Sequence, residues 1–364
     1  MIKKLDWYIL KKFFITFIFC MLLFTAIAVA IDSSEKTDNF VKSGLSTTEI
    51  IRQYYVGFVP YIWGLLYPLF VFIAVIFFTS KMASGSEVIA ILASGVTYRR
   101  WLRPYLIGGL VFATILFFAT RFSIPRANEI RSTFENKYIS QSSTGFDGSQ
   151  CYNCFYKRLD SITYVGLKYY DTLTKSAHPF FLQKVKGYKM IYNLRAERIS
   201  WDTASRKWKL FNAVERTVEG GREVVRRMQE MPLNITLKPT ELRRDEYLKD
   251  KLTSPELARF IAVEESRATE GLNPLRVELY RRIASCFTVL LLTMIGAIVA
   301  GRKSRGGSGL HLAIGIIIAA LFIIADRFST VFATKGNFHP LLAAWTPNVA
   351  FALVAFILYL RAPK

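Results

Sequence analysis

The stretch SEVIAILASGVTYRRWLRP, residues 86–104, is polar and separates two of the most apolar parts of this 364-residue chain, residues 53–80 and 104–120. It carries one glutamate, three arginines and a glycine. Hydrophobic residues make up 52% of the sequence, and they occur in long uncharged runs rather than in amphipathic stripes. A helix needs about 20 apolar residues to cross the hydrocarbon core of a bilayer, so the sequence predicts a membrane protein.

Six apolar runs are near this length, three on each side of a long polar insert. We predict one transmembrane helix in each run: residues 13–31, 53–80, 104–120, 283–301, 306–325 and 336–360. The tripeptide AVA at residues 28–30 resembles a signal-peptide cleavage site. The apolar run before it is longer than in most signal peptides, which favours an uncleaved first span.

The basic residues near the span ends predict the orientation, because short loops rich in Lys and Arg stay in the cytoplasm. Four clusters fall on one side of the predicted membrane: Lys3, Lys4, Lys11 and Lys12; Lys81, Arg99, Arg100 and Arg103; Arg302, Lys303 and Arg305; Arg361 and Lys364. Both termini and residues 86–104 are therefore expected in the cytoplasm, and the insert on the far side. This topology and a basic insert account for the formal charge of +21, so we expect no nucleic-acid binding.

The sequence contains four cysteines. Cys20 and Cys286 lie inside predicted spans, where we expect small apolar side chains. Cys151 and Cys154 form a CxxC pair in the insert. Without a second such pair or a nearby histidine this is a weak zinc or redox signal, which leaves a local disulfide or two free thiols open. We predict no metal and no cofactor.

The insert changes to short stretches in which aromatic and β-branched residues alternate with Lys and Arg. These stretches are ITYVGLKYYD, FFLQKVKGYKMIYN, LRAERISWDT, RKWKLFNAVERTV and EVVRRMQEMPLNITL. They predict an antiparallel sandwich or barrel of seven or more strands, the size of a jelly roll. A helix is expected next, with Ser254 as N-cap, Pro255 at its first position and Gly271 beyond its end. Such a domain either passes on a hydrophobic ligand, pairs its strand edges with a partner, or is a simple spacer.

Residues 86–104 themselves predict a short helix along the membrane surface. Ser84 and Glu87 have the spacing of a capping box, Val88 begins an apolar i, i+3, i+4 pattern, and Gly95 is a stop signal. Two interpretations stay open. Either Glu87 only caps the helix while the arginines anchor it to anionic lipid, or the segment docks on a partner.

Five stretches together resemble the lipopolysaccharide export permease family LptF/LptG. They are SEVIAILASGVTYRRWLRP, which is similar to the family's cytoplasmic coupling helix, and LDWYILKKF, NPLRVELYRRIA, RKSRGGSGLHLAIGI and HPLLAAWTPNVAF. The resemblance covers both membrane halves in the right order. It implies an α-helical membrane protein of six transmembrane helices, three plus three, with an inserted periplasmic all-β, jellyroll-like domain. The corresponding domain limits are residues 1–124, 125–278 and 279–364.

The resemblance also implies the partners. The chain lacks the phosphate-binding motif G-x-x-x-x-G-K-[ST], so ATP hydrolysis would fall to a separate cytoplasmic ATPase dimer. The other implied partners are a paralogous permease, periplasmic bridge proteins and lipopolysaccharide in the inner membrane. The residues expected to meet the ATPase are Glu87, Val88, Ile91, Leu92, Arg99 and Arg100, with Glu87 facing an arginine of that subunit.

Cations at the far ends of the spans predict a site for lipid phosphate, because Arg and Lys suit phosphate oxygens and the inside rule does not explain cations there. The expected residues are Lys36, Lys42, Arg121, Arg281 and Arg282, with Asp326 pairing with one of the arginines. Ordinary anchoring of these side chains at the membrane surface is the alternative. For the whole chain the alternatives are a membrane enzyme acting on lipid-linked glycans and a tethering permease that moves no lipid.

Overall fold

The computed structural model describes residues 3–139, 155–160, 162–171, 174–187, 189–203, 205, 207–219, 222–235, 248–266, 271–302, 307–336 and 338–362. The chain forms two compact units. The helical unit contains residues 1–144, 247–259 and 273–364, and the strand unit contains residues 145–246 and 260–272. The strand unit is smaller than the predicted insert, because the helical residues just after 124 and just before 260 belong to the helical unit.

The helices are named in chain order. They are α1 (Lys4–Ser43), α2 (Thr47–Ile50), α3 (Val56–Ser84), α4 (Glu87–Ala93), α5 (Tyr98–Phe118), α6 (Ile124–Phe134), α7 (Leu248–Lys251), α8 (Ser254–Ser266), α9 (Asn273–Ala300), α10 (Gly307–Lys335) and α11 (Pro340–Leu360). Three π-helical turns lie next to these helices. Ile51–Tyr55 joins α2 to α3, Ala119–Ser123 joins α5 to α6, and Glu135–Ile139 follows α6.

Among the residues that the structure describes, six helical stretches are long and apolar enough to cross a membrane, which confirms the predicted number. They are Lys4–Ser43, Thr47–Ser84, Tyr98–Ile139, Asn273–Ala300, Gly309–Lys335 and Pro340–Leu360. Most extend well beyond the apolar runs, because the helices continue into polar sequence at their ends. We call the side of the bundle that carries both chain termini the terminal end, and the side from which the chain enters the strand unit the insert end.

Helix α9 is the centre of the helical unit. In its most apolar stretch 61% of the residues are buried, against 11% for α1 and 17% for α10. Small residues let the helices approach closely. A Cβ on Gly296 of α9, for example, would lie 3.1 Å from Val75 and 3.2 Å from Phe72 of α3. The apolar faces of α1 and α10, and that of α11, whose most apolar stretch is 22% buried, are therefore open to lipid or another protein.

The strand unit contains one antiparallel sheet. Its strands follow one another in sequence order: β1 (Phe155–Arg158), β2 (Thr163–Asp171), β3 (Ser176–Lys186), β4 (Lys189–Asp202), β5 (Lys207–Glu219) and β6 (Arg222–Leu233). The inserted all-β domain is as predicted. The described residues form six strands, one fewer than the predicted minimum, and within them no strand makes the Greek-key crossing of a jelly roll. The Cys151–Cys154 pair lies outside the described residues.

One face of this sheet forms its own apolar core. On β2, Val165 and Leu167 are buried, and they lie opposite Leu182 and Phe180 of β3. Tyr164 points to the other face and is 40% exposed. The alternation of a strand therefore settles which set of β2 side chains faces inward.

Candidate functional site

The segment between α3 and α5 contains a helix of seven residues, α4. The predicted capping box is wrong. Helix α3 continues through Ser84, so Ser84 cannot cap α4, and Ser86 occupies the N-cap position without a side-chain hydrogen bond to the helix. Glu87 is the first helical residue instead of the third. The backbone reverses at both ends of α4, since Ser86 has φ of 59° and Gly95 has φ of 85°.

The carboxylate of Glu87 binds side chains of α1. Its oxygens accept hydrogen bonds from the Tyr8 hydroxyl at 2.9 Å and from the Lys12 ammonium at 3.2 and 3.3 Å. The Lys12 ammonium also lies 4.3 Å from the centre of the Tyr8 ring. The side chains of Glu87 and Lys12 are 38% and 36% exposed, so water screens the pair and its stability contribution is only about 0.2–1 kcal/mol.

A second ion pair joins the start of α5 to α1. Arg100 donates two parallel hydrogen bonds, both 2.6 Å long, to the carboxylate of Asp6. Asp6 is 2% exposed and also accepts a hydrogen bond from the backbone N–H of Lys3 at 2.8 Å. Since the two-pronged geometry is strong and Asp6 is buried, removal of Arg100 alone would leave a buried carboxylate without its cation.

The apolar residues predicted to meet an ATPase all lie on the side of α4 that packs against the helical unit. Val88 is buried in the core of the helical unit, and Ile91 and Leu92 pack against that core while partly exposed. Ile89 faces outward and is 47% exposed. Arg99 is exposed and donates to the Tyr359 hydroxyl at 3.0 Å. The exposed apolar surface of α4 therefore centres on Ile89, which the i, i+3, i+4 pattern did not include.

At the insert end, a cleft of about 350 Å³ opens between α3, α9 and α10, and α7 contributes to its rim. Its walls are apolar at one end, where Leu69, Leu292, Ala319, Phe322 and Ile323 line it. Its other end is charged and is lined by Lys249, Asp250, Glu278, Arg281, Arg282, Asp326 and Arg327. The cleft is therefore amphipathic.

The charged end of the cleft contains both fixed and accessible side chains. Arg281 donates to Asp326 at 2.7 Å, which confirms the predicted pairing of Asp326 with an arginine. Arg282 is buried and bonds the carbonyls of Leu252 and Lys249, so it fastens α7 and the start of α8 to α9.

Two further residues at this end are Asp250 and Arg327. Burial, together with the neighbouring carboxylate of Glu278, raises the pKa of Asp250 above its usual range. A raised carboxyl pKa means that Asp250 takes up a proton at a higher pH than an exposed aspartate does. Arg327 is exposed, and no described residue forms an ion pair with it.

Lys36 lies in a different place, in a network that joins α1, the Ile51–Tyr55 turn and the Glu135–Ile139 turn. Its ammonium pairs with Asp32 at 2.9 Å and with Glu135 at 3.1 Å, and it contacts the Tyr54 hydroxyl. Arg131 adds a second cation, 3.7 Å from Glu135. Two carboxylates thus balance two cations in a mostly buried cluster, so Lys36 fastens helices together.

The five cations predicted for lipid phosphate do not form one cluster. Arg281 and Arg282 line the cleft, while Lys36 belongs to the network on α1. Arg121 lies on the Ala119–Ser123 turn, 5.8 Å from the ring centre of Phe117, and Lys42 is exposed near the end of α1. Lys249 and Arg327 also line the cleft and were not among the predicted cations, because nothing in the sequence around them separates them from other surface cations.

Groups suited to covalent chemistry do not converge in the described part of the chain. No cluster of His, Cys, Asp and Glu that could hold a metal is found there. His311 is buried in α10 and His339 caps α11, accepting from the N–H of Leu341 at 3.3 Å. Cys20 and Cys286 are buried with free thiols inside α1 and α9.

In the described part of the chain, six long apolar helices, an amphipathic cleft and a polar segment between two of the helices are features of a multi-pass membrane protein. The sequence model described as lipopolysaccharide export system permease LptF/LptG matches residues 7–361, almost the whole chain. The chain therefore belongs to the LptF/LptG family of lipopolysaccharide export permeases, whose members are permeases rather than enzymes. A comparison with curated proteins gave no match.

Proposed function

We propose that this chain is a permease subunit of an ABC transporter that extracts lipopolysaccharide from the inner membrane and passes it to periplasmic bridge proteins. The observation that carries the proposal is the amphipathic cleft between α3, α9 and α10. Both termini and α4 would then face the cytoplasm, and the strand unit the periplasm, as the basic clusters at the terminal end favour.

The length of the cleft fits the depth of one membrane leaflet. Arg281 at its charged end and Leu292 at its apolar end both lie on α9. They are eleven residues apart, so a rise of 1.5 Å per residue separates them by about 16 Å. That is roughly half of the ~30 Å hydrocarbon core. A lipid with an anionic headgroup could place its phosphate at one end and part of an acyl chain at the other.

The charged end offers cations with different roles toward such a phosphate. Arg327 and Lys249 are the accessible donors, and Arg281 is held in place by Asp326. Arg282 shapes the wall, because its donors are already used by backbone carbonyls. Lys42 and Arg121 would contact headgroups outside the cleft, and Lys36 would act through the position of α1.

The exposed surfaces support a place for each proposed partner. A separate ATPase dimer would dock on the terminal end at α4, with Ile89 at the centre and Glu87, Ile91, Leu92, Arg99 and Arg100 around it, while Val88 holds α4 to the bundle. A paralogous permease would cover the exposed apolar faces of α1 and α10. The strand unit would hand lipid to the bridge proteins through its sheet.

The experiment uses the complex of this chain with the paralogous permease and the ATPase, purified in detergent, and measures bound lipopolysaccharide by mass spectrometry. Reversal of both accessible cations, Arg327→Glu with Lys249→Glu, should reduce bound lipid several-fold without loss of subunits. Arg52→Glu is the matched control, because Arg52 is an exposed cation at the same end that does not line the cleft. Equal lipid in the cleft variant and the control would refute the proposed site.

A further inference from the structure

Residues 86–97 are connected to α3 and α5 by turns. On one side Gly85 and Ser86 separate α4 from α3, and on the other Ser94 to Thr97 separate α4 from α5. The positive φ angles at Ser86 and Gly95 mark sharp changes of chain direction. A helix of seven residues is also too short to hold its own shape in water. The position of α4 is therefore set by its tertiary contacts.

Two of those contacts are charge pairs, and both reach the first turns of α1. Glu87 of α4 binds Tyr8 and Lys12, and Arg100, at the start of α5, binds Asp6. Tyr8 and Lys12 are four residues apart, so they lie on one face of α1. The coupling segment, residues 86–100, is thus fastened on both sides of the Gly95 turn to the same helix.

Helix α1 is suited to carry a movement across the membrane. It runs without a proline or a π-helical turn from Lys4 to Ser43, a length of about 60 Å. In contrast, α3 contains Pro60 and Pro68, and α5 continues through a π-helical turn. At its far end α1 is held by Lys36 and Asp32 to the turns that carry Tyr54 and Glu135.

We propose that Lys12 and Asp6 are positioning residues for the coupling segment, which transmit its movement to α1 through their ion pairs with Glu87 and Arg100. This inference rests on the proposed function, because the movement is that imposed by the ATPase. In this proposal Glu87 pairs with a residue of its own chain, whereas the sequence resemblance implies that it pairs with an arginine of the ATPase. The rest of the segment remains free to dock through Ile89.

A charge exchange separates the two assignments of Glu87. Complexes of this chain with the paralogous permease and the ATPase are reconstituted in liposomes, and the lipid moved per ATP hydrolysed is measured. Lys12→Glu and Glu87→Lys should each reduce this ratio several-fold, since like charges then face each other. The double variant Lys12→Glu/Glu87→Lys should restore it. Lys11→Glu, at an exposed position of the same helix turn, should leave the ratio unchanged.

Each alternative result has a defined meaning. If Lys12→Glu has normal coupling and the exchange is as defective as Glu87→Lys alone, Glu87 acts on the ATPase and the proposal is wrong. Lys12→Gln, which removes the charge without reversing it, and Lys12→Arg, which keeps it, show whether a loss in Lys12→Glu is misfolding. The proposal predicts a loss for Gln and normal coupling for Arg, and equal behaviour of the two would contradict it. If the unmodified complex moves no lipid, the proposed function itself fails.

Discussion

Gly57 allows α3 and α6 to pack so closely that their backbones are in contact. A Cβ at this position would lie 2.5 Å from the carbonyl oxygen of Ala127 and 2.7 Å from the backbone nitrogen of Arg131. Neither atom can rotate away, because both belong to the helix backbone of α6. Gly57→Ala must therefore push the two helices apart by several tenths of an ångström, next to the network that contains Arg131 and Glu135.

Gly64, two turns further along α3, provides the matched comparison. A Cβ there would lie 2.6 Å from the Cδ1 atom of Ile124, the end of a flexible side chain. Forcing extra atoms into a packed core costs about 1–3 kcal/mol, and the upper end applies where backbone must move. Replacing Gly by Ala inside a helix returns about 1 kcal/mol. The expected net loss is about 2 kcal/mol for Gly57→Ala and near zero for Gly64→Ala.

Thermal unfolding of the purified chain in detergent, followed by tryptophan fluorescence, measures the difference. A loss of about 2 kcal/mol should lower the Tm by a few degrees in Gly57→Ala, while Gly64→Ala should stay within about a degree of the unmodified protein. A Tm for Gly57→Ala at or above that of the unmodified protein would refute the close crossing of α3 and α6.

Two further predictions concern the strand unit and the core of the helical unit. A photo-crosslinker at Leu167, which faces the sheet core and is 3% exposed, should capture lipid in an active complex. One at Tyr164, on the opposite face, should not. Adducts at neither site, or mainly at Tyr164, would show that the core face does not carry lipid. The buried side-chain amide of Asn348 donates to the carbonyl of Ala284 at 3.0 Å and accepts from the Thr288 hydroxyl at 2.8 Å. Asn348→Ala should therefore reduce the free energy of unfolding by about 1–2 kcal/mol and lower the Tm. An unchanged Tm would contradict this link between α11 and α9.

The number of spans was predictable because the signal is local and strong. A run of about 20 apolar residues has few structural alternatives, and all six runs are found in helices. The ends of these helices were not predictable in the same way. Polar residues such as 32–43 extend a helix beyond its apolar run because some of them pack against other segments of the chain. A hydropathy pattern contains no information about such contacts.

The environment of Glu87 shows where sequence reasoning fails. The S-x-x-E spacing from Ser84 suggested a cap, yet α3 continues through Ser84 since Met82 and Ala83 are buried in its core. The true partners of Glu87 lie 79 and 75 residues earlier in the sequence. No local pattern contains such a pairing, so the sequence could single out the carboxylate but could not identify its contacts.

The cations of the predicted phosphate site were visible in the sequence, but most of their partners were not. Lys36 meets Glu135 from a segment 99 residues away, which removes it from the accessible set. Arg281 meets Asp326, and this pair was predictable because the two residues lie at the same end of adjacent spans.

ATP-dependent lipid transfer is the most direct test of the central claim. Liposomes containing lipopolysaccharide and this chain with the paralogous permease and the ATPase are mixed with the periplasmic bridge proteins, and lipid cross-linked to the bridge is measured over time. We predict transfer that requires ATP and this chain, and that falls several-fold with Arg327→Glu and Lys249→Glu combined. ATP hydrolysis without any transfer, in a complex of complete composition, would contradict the account.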